Sequence, residues 1–214
     1  MPRRSYGQYC AVAKALDVVG DRWTLLIVRE LLLRGPARYT DLREGLPGIA
    51  TNLLAERLRE LERAELVARH DAPPPVAATL FELTDRGREL EPVLDALGRW
   101  GVPYMAEGPD AGDVFRSRWL AWPAELFLTD TEPDAPRATV ELDAGGEPVV
   151  LEISGGEVHA RPGTVADPDA ALSGTPQTLL GVLSGTLDLA TARSRGLELR
   201  GDESVIRRVQ PLAA

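Results

Sequence analysis

Thr51 and Asn52 open a leucine-spaced run, Thr51-Asn52-Leu53-Leu54-Ala55-Glu56-Arg57-Leu58-Arg59-Glu60-Leu61-Glu62-Arg63, and their chemistry suits the edges of DNA bases. An asparagine amide sets a donor beside an acceptor and so matches N6 and N7 of adenine, while a threonine can pack against a thymine methyl. Ala55, one turn on, leaves room for close approach to a groove, and Glu56, Arg59 and Arg63 share that side. Arg57 and Arg59 are expected at phosphates, as are Arg38 and Arg43 from the preceding segment, with Thr40 between them. Arg69 and His70 follow where a hairpin could meet the backbone or the minor groove. The plainer reading is a solvated surface helix with Thr51 as its N-cap and Arg59, Glu62 and Arg63 as exposed pairs. The elements around the run decide between the two.

Leu54, Leu58 and Leu61 recur at spacings of four and three, which predicts a helix from Thr51 to about Glu65 with those leucines on the core. Before it, Arg38 to Leu46 reads as a short helix with Thr40 as N-cap, then a turn Pro47-Gly48-Ile49-Ala50. After it, Leu66 to His70 reads as a strand, Pro73-Pro74-Pro75 as a tip, and Val76 to Leu83 as the return. Helix, tight turn, polar-tipped helix and two-stranded hairpin make a winged helix-turn-helix, whose second helix enters the major groove. Upstream, Val12, Ala15, Leu16 and Val19 form one helical face. Gly20-Asp21 interrupts, and Asp21 is the expected N-cap of a helix Arg22–Leu33 buried through Trp23, Leu26, Ile27 and Leu31. Thr84-Asp85-Arg86-Gly87 starts a helix to about Trp100, with Leu90, Val93, Leu94, Leu97 and Trp100 on its apolar side.

The net charge of −9 opposes nucleic-acid binding until its distribution is considered. Residues 1–69 hold 12 Lys+Arg against 9 Asp+Glu, whereas residues 111–214 hold 9 against 16. The positive excess therefore sits where phosphate binding requires it, and its small size favours two copies binding together. One cysteine excludes an internal disulfide framework, and no apolar run is long enough for a membrane span; a reducing cytoplasm fits. His70 and His159 fall in different halves, and no nucleophile motif, phosphate loop or metal-ligand spacing accompanies them, so neither an enzyme nor a cofactor is expected.

Glu107 to Asp113 is a linker by composition. Beyond it, short β runs 138–142, 149–153 and 157–160 alternate with glycine pairs 145–146 and 155–156, as hairpins do. Thr175-Pro176 starts a helix through Leu183, Leu197-Glu198-Leu199 is a late strand, and Asp202 caps a helix to Val209. The fold class is α+β, with a winged helix-turn-helix at 1–106 and a second α+β domain at 114–214.

Cys10-Ala11-Val12, Gly20 through Ile27, Arg38 through Leu42, Leu46 through Ile49, Leu54 through Glu62 and Leu83 through Gly87 resemble, in order, the HxlR-type winged helix-turn-helix regulators. The resemblance implies a homodimer joined through the first and last helices, carrying two recognition helices to a pseudo-palindrome of double-stranded DNA. Val12, Leu16, Leu90, Val93, Leu94, Leu97, Trp100 and Tyr104 are the candidate interface, more apolar surface than one small domain need cover. Cys10 matches the position at which some members sense oxidants or electrophiles, although a lone cysteine beside Ala11 and Val12 also reads as a small buried residue. Residues 155–160, 167–174, 178–185 and 196–202 resemble the sterol-carrier-protein type-two fold. That resemblance implies an apolar tunnel for a small apolar ligand, here lined by Trp119, Trp122, Leu126, Phe127, Leu179, Leu180 and Leu183. The alternatives are that these side chains fill a core, that the chain is a lipid or small-molecule carrier, or that the regulator is switched through Cys10.

Overall fold

The leucine-spaced run forms a helix because its apolar positions fall on one stripe, and that stripe is the inner wall of the N-terminal unit. In the computed structural model, which describes residues 5–74, 77–105 and 108–211, Leu54, Leu58 and Leu61 are each at most 2% exposed. Burial of each contributes about 1.5–3 kcal/mol relative to exposure. The chain divides into two units, residues 1–101 and 102–214.

The first unit runs α1 (Ala11–Val19), α2 (Thr24–Arg34), β1 (Ala37–Arg38), α3 (Tyr39–Gly45), α4 (Thr51–Arg63), β2 (Val67–Ala72), β3 (Ala78–Leu83), α5 (Asp85–Arg88) and α6 (Glu91–Gly101). Strands β2 and β3 form the antiparallel wing in the register Val67↔Leu83 to Ala72↔Ala78. β1 adds a third strand through Ala37↔Phe81 and Arg38↔Leu80, so the base of the wing is joined to the entry of α3. Ile27, Val28 and Leu31 of α2, Leu42 of α3, Leu46, and Phe81 and Leu83 of β3 complete the core around the leucines of α4. The tip Pro73-Pro74-Pro75-Val76 lies partly outside the described residues, as do Ala106 and Glu107 where the linker was expected to begin.

Several local expectations are corrected. α2 begins at Thr24 with no side-chain cap; Asp21 contributes only its carbonyl, to the Thr24 amide at 3.2 Å. Trp23 there has φ 80, a left-handed conformation uncommon for a bulky residue, with Arg22 over its ring at 5.5 Å. Thr40 does not cap α3. The N-cap position is Arg38, whose amide donates to the Asp41 carboxylate at 3.0 Å. Ala50, not Thr51, occupies the N-cap position of α4, without a side-chain bond. Thr84 does cap, accepting from the Gly87 amide at 3.1 Å, but the helix it starts stops at Arg88. Pro92 explains the break, since its ring would clash with the Arg88 carbonyl in a continuous helix. Leu26, expected in the core, is exposed, and Leu94, expected at the interface, is buried.

The second unit opens with short 3-10 turns at Val102–Met105 and Ser117–Leu120. It continues with α7 (Ala121–Phe127), β4 (Leu128–Asp130), β5 (Ala138–Asp143), β6 (Val149–Ser154), β7 (Glu157–Pro162), β8 (Ala170–Ser173), α8 (Pro176–Leu183), α9 (Leu189–Ser194), β9 (Glu198–Gly201), α10 (Glu203–Arg208) and β10 (Val209–Pro211). Five strands order as β7-β6-β5-β8-β9, antiparallel except for the parallel pair β5–β8, and β4 pairs with β10 in a separate ribbon. The glycine pairs make the two hairpins, at positive φ throughout. Thr175 caps α8 through the Thr178 amide and Asp202 caps α10 through the Ser204 amide. Asp130 and Arg208 clamp the ribbon: Nε and Nη2 donate to the two carboxylate oxygens at 2.6 and 2.8 Å, fully within the unit.

Candidate nucleic-acid interface

α4 presents its amino end to solvent. Thr51 and Asn52 are exposed, and Asn52, Glu56, Arg59, Glu60 and Arg63 line one shallow depression along its outer side. The backbone amides of the first turn point the same way, an arrangement that favours phosphate or base acceptors. The end is held from beneath by Tyr39, whose hydroxyl donates to the Thr51 carbonyl at 2.5 Å. No periodicity signals that contact, because it depends on how α3 crosses α4.

The expected phosphate contacts divide. Arg38 and Arg43 are exposed, and Thr40 is exposed beside them. Arg59 is exposed, its Nε donating to the Ala55 carbonyl one turn back at 2.9 Å. Arg57 is the correction. Its side chain is only 14% exposed and pairs with Asp21 at 3.2 Å and with Glu60 on its own helix. It braces α4 against the α1–α2 corner and faces away from the groove side. The i, i+3 pair Arg57–Glu60 was readable from spacing, but the third member, Asp21, lies 36 residues earlier and was not. Ala55 is half-buried on the reading side.

On the wing, Arg69 and His70 are both exposed and both face carboxylates: Arg69 Nε lies 3.7 Å from Glu62, and His70 Nδ1 lies 3.3 Å from Glu82. Such exposed pairs are weak, worth about 0–1 kcal/mol, and yield readily to a phosphate.

The apolar surface expected to join two copies is largely outward. Val12 and Leu16 on α1, and Val93, Leu97 and Trp100 on α6, are exposed, Trp100 by 67%. Tyr104 is exposed too, Leu90 is half-buried, and Leu94 belongs to the core of its own unit. Cys10 occupies the N-cap position of α1 and is exposed, so the buried reading of this residue does not hold. The backbone N–H groups of Ala13 and Val12, at the start of α1, hold the thiol below its ordinary pKa. In the second unit Leu126, Leu179 and Leu183 are buried, while Trp119, Trp122, Phe127 and Leu180 are partly exposed. Among the described residues no helix is long and apolar enough to cross a membrane, and no three His, Cys, Asp or Glu side chains gather as metal ligands would.

Comparison with known proteins places these features in context. Residues 18–109 match the model for the HxlR-like helix-turn-helix family, and residues 135–214 match that for the SCP-2 sterol transfer family. The chain is 35% identical over 92 residues to the HTH-type transcriptional regulator YvaP of Bacillus subtilis, covering 43% of this chain and 84% of that protein. It is 34% identical over 94 residues to the HTH-type transcriptional regulator YodB of the same organism, covering 44% and 83%. The solved reduced form of YodB aligns at 32% identity with a TM-score of 0.41, covering 48% of this chain and all of that one.

Proposed function

The chain belongs to the HxlR-like helix-turn-helix regulators, with an SCP-2 type domain after the DNA-binding unit, and on that premise we propose that it represses transcription as a cytoplasmic homodimer. The observation that supports this most is the amino end of α4, where Thr51 and Asn52 stand exposed on a helix whose leucine face is wholly buried. Two copies joined through α1 and α6 carry two such ends to half-sites about 34–36 Å apart, one turn of DNA. A dimer on a promoter blocks polymerase by occupancy alone. Footprinting on the DNA upstream of the chain's own gene tests the reading. Protection should span a pseudo-palindrome, and Asn52→Ala should relax base preference at one position per half-site, by about 1–3 kcal/mol. Uniform protection of unrelated duplexes would refute sequence-specific repression.

The SCP-2 match supports a further part of the reading, in which a small apolar ligand in the second unit changes operator affinity. Coupling of about 1–3 kcal/mol would shift affinity 5–150-fold. Native mass spectrometry of purified protein should reveal an apolar adduct, and unchanged operator affinity across a lipid and aromatic panel would remove this element.

A second reading is favoured by one observation, the exposed Cys10 whose thiol is held below its ordinary pKa by the first amides of α1. A thiolate there reacts with oxidants and electrophiles. Diamide should release wild-type protein from its operator and leave Cys10→Ser bound; equal release of both refutes it.

A further inference from the structure

We propose that Glu56 selects one base of the operator by accepting a hydrogen bond from the N4 amino group of a cytosine in the major groove. The inference rests on the assignment of α4 as the reading helix and goes one residue further.

α4 carries three carboxylates, and the structure treats them differently. Glu60 holds Arg57, and Glu62 faces Arg69 at 3.7 Å. Glu56 meets no cation or donor among the described residues, and it is exposed along the depression that Asn52 also lines. Arg59 does not neutralise it, since its Nε is turned to the Ala55 carbonyl. A bare carboxylate brought against a polyanion opposes binding unless it meets a donor.

The major groove offers two exposed amino donors, adenine N6 and cytosine N4. Adenine sets the N7 acceptor beside its amino group, which suits an amide such as Asn52 and repels a carboxylate. Cytosine has no acceptor beside N4 on its own ring, so it suits Glu56. Four residues along a helix span about 6 Å. At roughly 3.4 Å per base step, the cytosine lies about two steps from the base read by Asn52.

The test uses the full chain and a pool of random duplexes, followed by titration on matched pairs. Wild type should lose about 5–150-fold in affinity when the assigned C·G pair becomes T·A. Glu56→Ala should lose that discrimination and retain the preference set by Asn52, while Glu56→Gln should move the preference toward adenine. If Glu56→Ala instead tightens binding to every duplex alike and leaves the selected sequence unchanged, Glu56 is only a repulsive charge and the proposal is overturned. Failure of wild type to select any sequence would overturn the α4 assignment as well, so the two failures are distinct.

Discussion

Replacing Arg57 by alanine separates bracing from phosphate contact. The side chain, 14% exposed, links the α1–α2 corner to α4 through Asp21 at 3.2 Å and holds Glu60 on its own helix. Its loss leaves two carboxylates that remain largely hydrated, at 63% and 37% exposed, so each lost pair costs only about 0.2–1 kcal/mol. Loss of the packed aliphatic stem adds to this, giving about 1–2 kcal/mol in all. At roughly 4–8 °C per kcal/mol for a domain of this size, the melting midpoint of the N-terminal unit should fall by about 4–16 °C. Operator affinity should fall too, because α4 loses its anchor, but the slope of log affinity against log salt should not change. Arg59→Ala should do the reverse: a near-native midpoint, with the slope flattened by about one unit per half-site. Calorimetry paired with salt-dependent anisotropy reads both. A native midpoint with a flattened slope for Arg57→Ala would refute the bracing argument and return this arginine to the phosphates.

Three other outcomes follow from the same structure. The double variant Leu97→Asp and Trp100→Asp, which sets charges on the outer side of α6, should sediment as a monomer and lose operator binding while each unit stays folded; an unchanged dimer would exclude this face as the interface. Gly87→Ala should destabilise the N-terminal unit by at least about 2 kcal/mol in denaturant titrations, because a Cβ there would stand 2.1 Å from the Leu66 carbonyl oxygen. In the second unit, the Arg208 guanidinium holds the Asp130 carboxyl well below the usual carboxylate range. A carboxylate with a depressed folded pKa stabilises fully above its unfolded value, about 3.9, and that stabilisation is lost as pH falls from there through the folded value. Stability of this unit should therefore decline on acidification below about pH 4. Asp130→Asn should be less stable by about 3–5 kcal/mol near neutrality and should show a flatter acid limb; an unaltered limb would refute the assignment.

The first unit was legible where local pattern and tertiary contact agree. The leucine stripe of α4 named its own buried face, and Thr84 caps as its position predicts, as Thr175 and Asp202 do in the second unit. Asp21 does not cap α2 because its carboxylate turns to the distant Arg57, and Thr40 does not cap α3 because its neighbour Asp41 takes the Arg38 amide. On α1 and α6 the outward side was readable, since Val12, Leu16 and Val93 are exposed as an interface requires; Leu94, which periodicity groups with them, faces in, because periodicity marks a face without saying what covers it. In the second unit the glycine-bounded hairpins were readable. β8, which pairs in parallel with β5, and the three-residue strands β4 and β10 were not, because their pairing partners lie far away in the sequence. Within the reading face, residue types pointed to Thr51, Asn52 and Arg59, but only the ion-pair geometry separates Arg57 from them and leaves Glu56 unclaimed.

The clamp between Asp130 and Arg208 joins groups 78 residues apart. At synthesis rates of roughly 5–20 residues per second, the aspartate emerges from the ribosome about 4–16 s before its guanidinium. During that interval β4 lacks both its partner strand β10 and the cation that neutralises this carboxylate, so the ribbon closes only once Arg208 and β10 have emerged. The unit ahead of it draws on nearer contacts and can form while its companion is still being made.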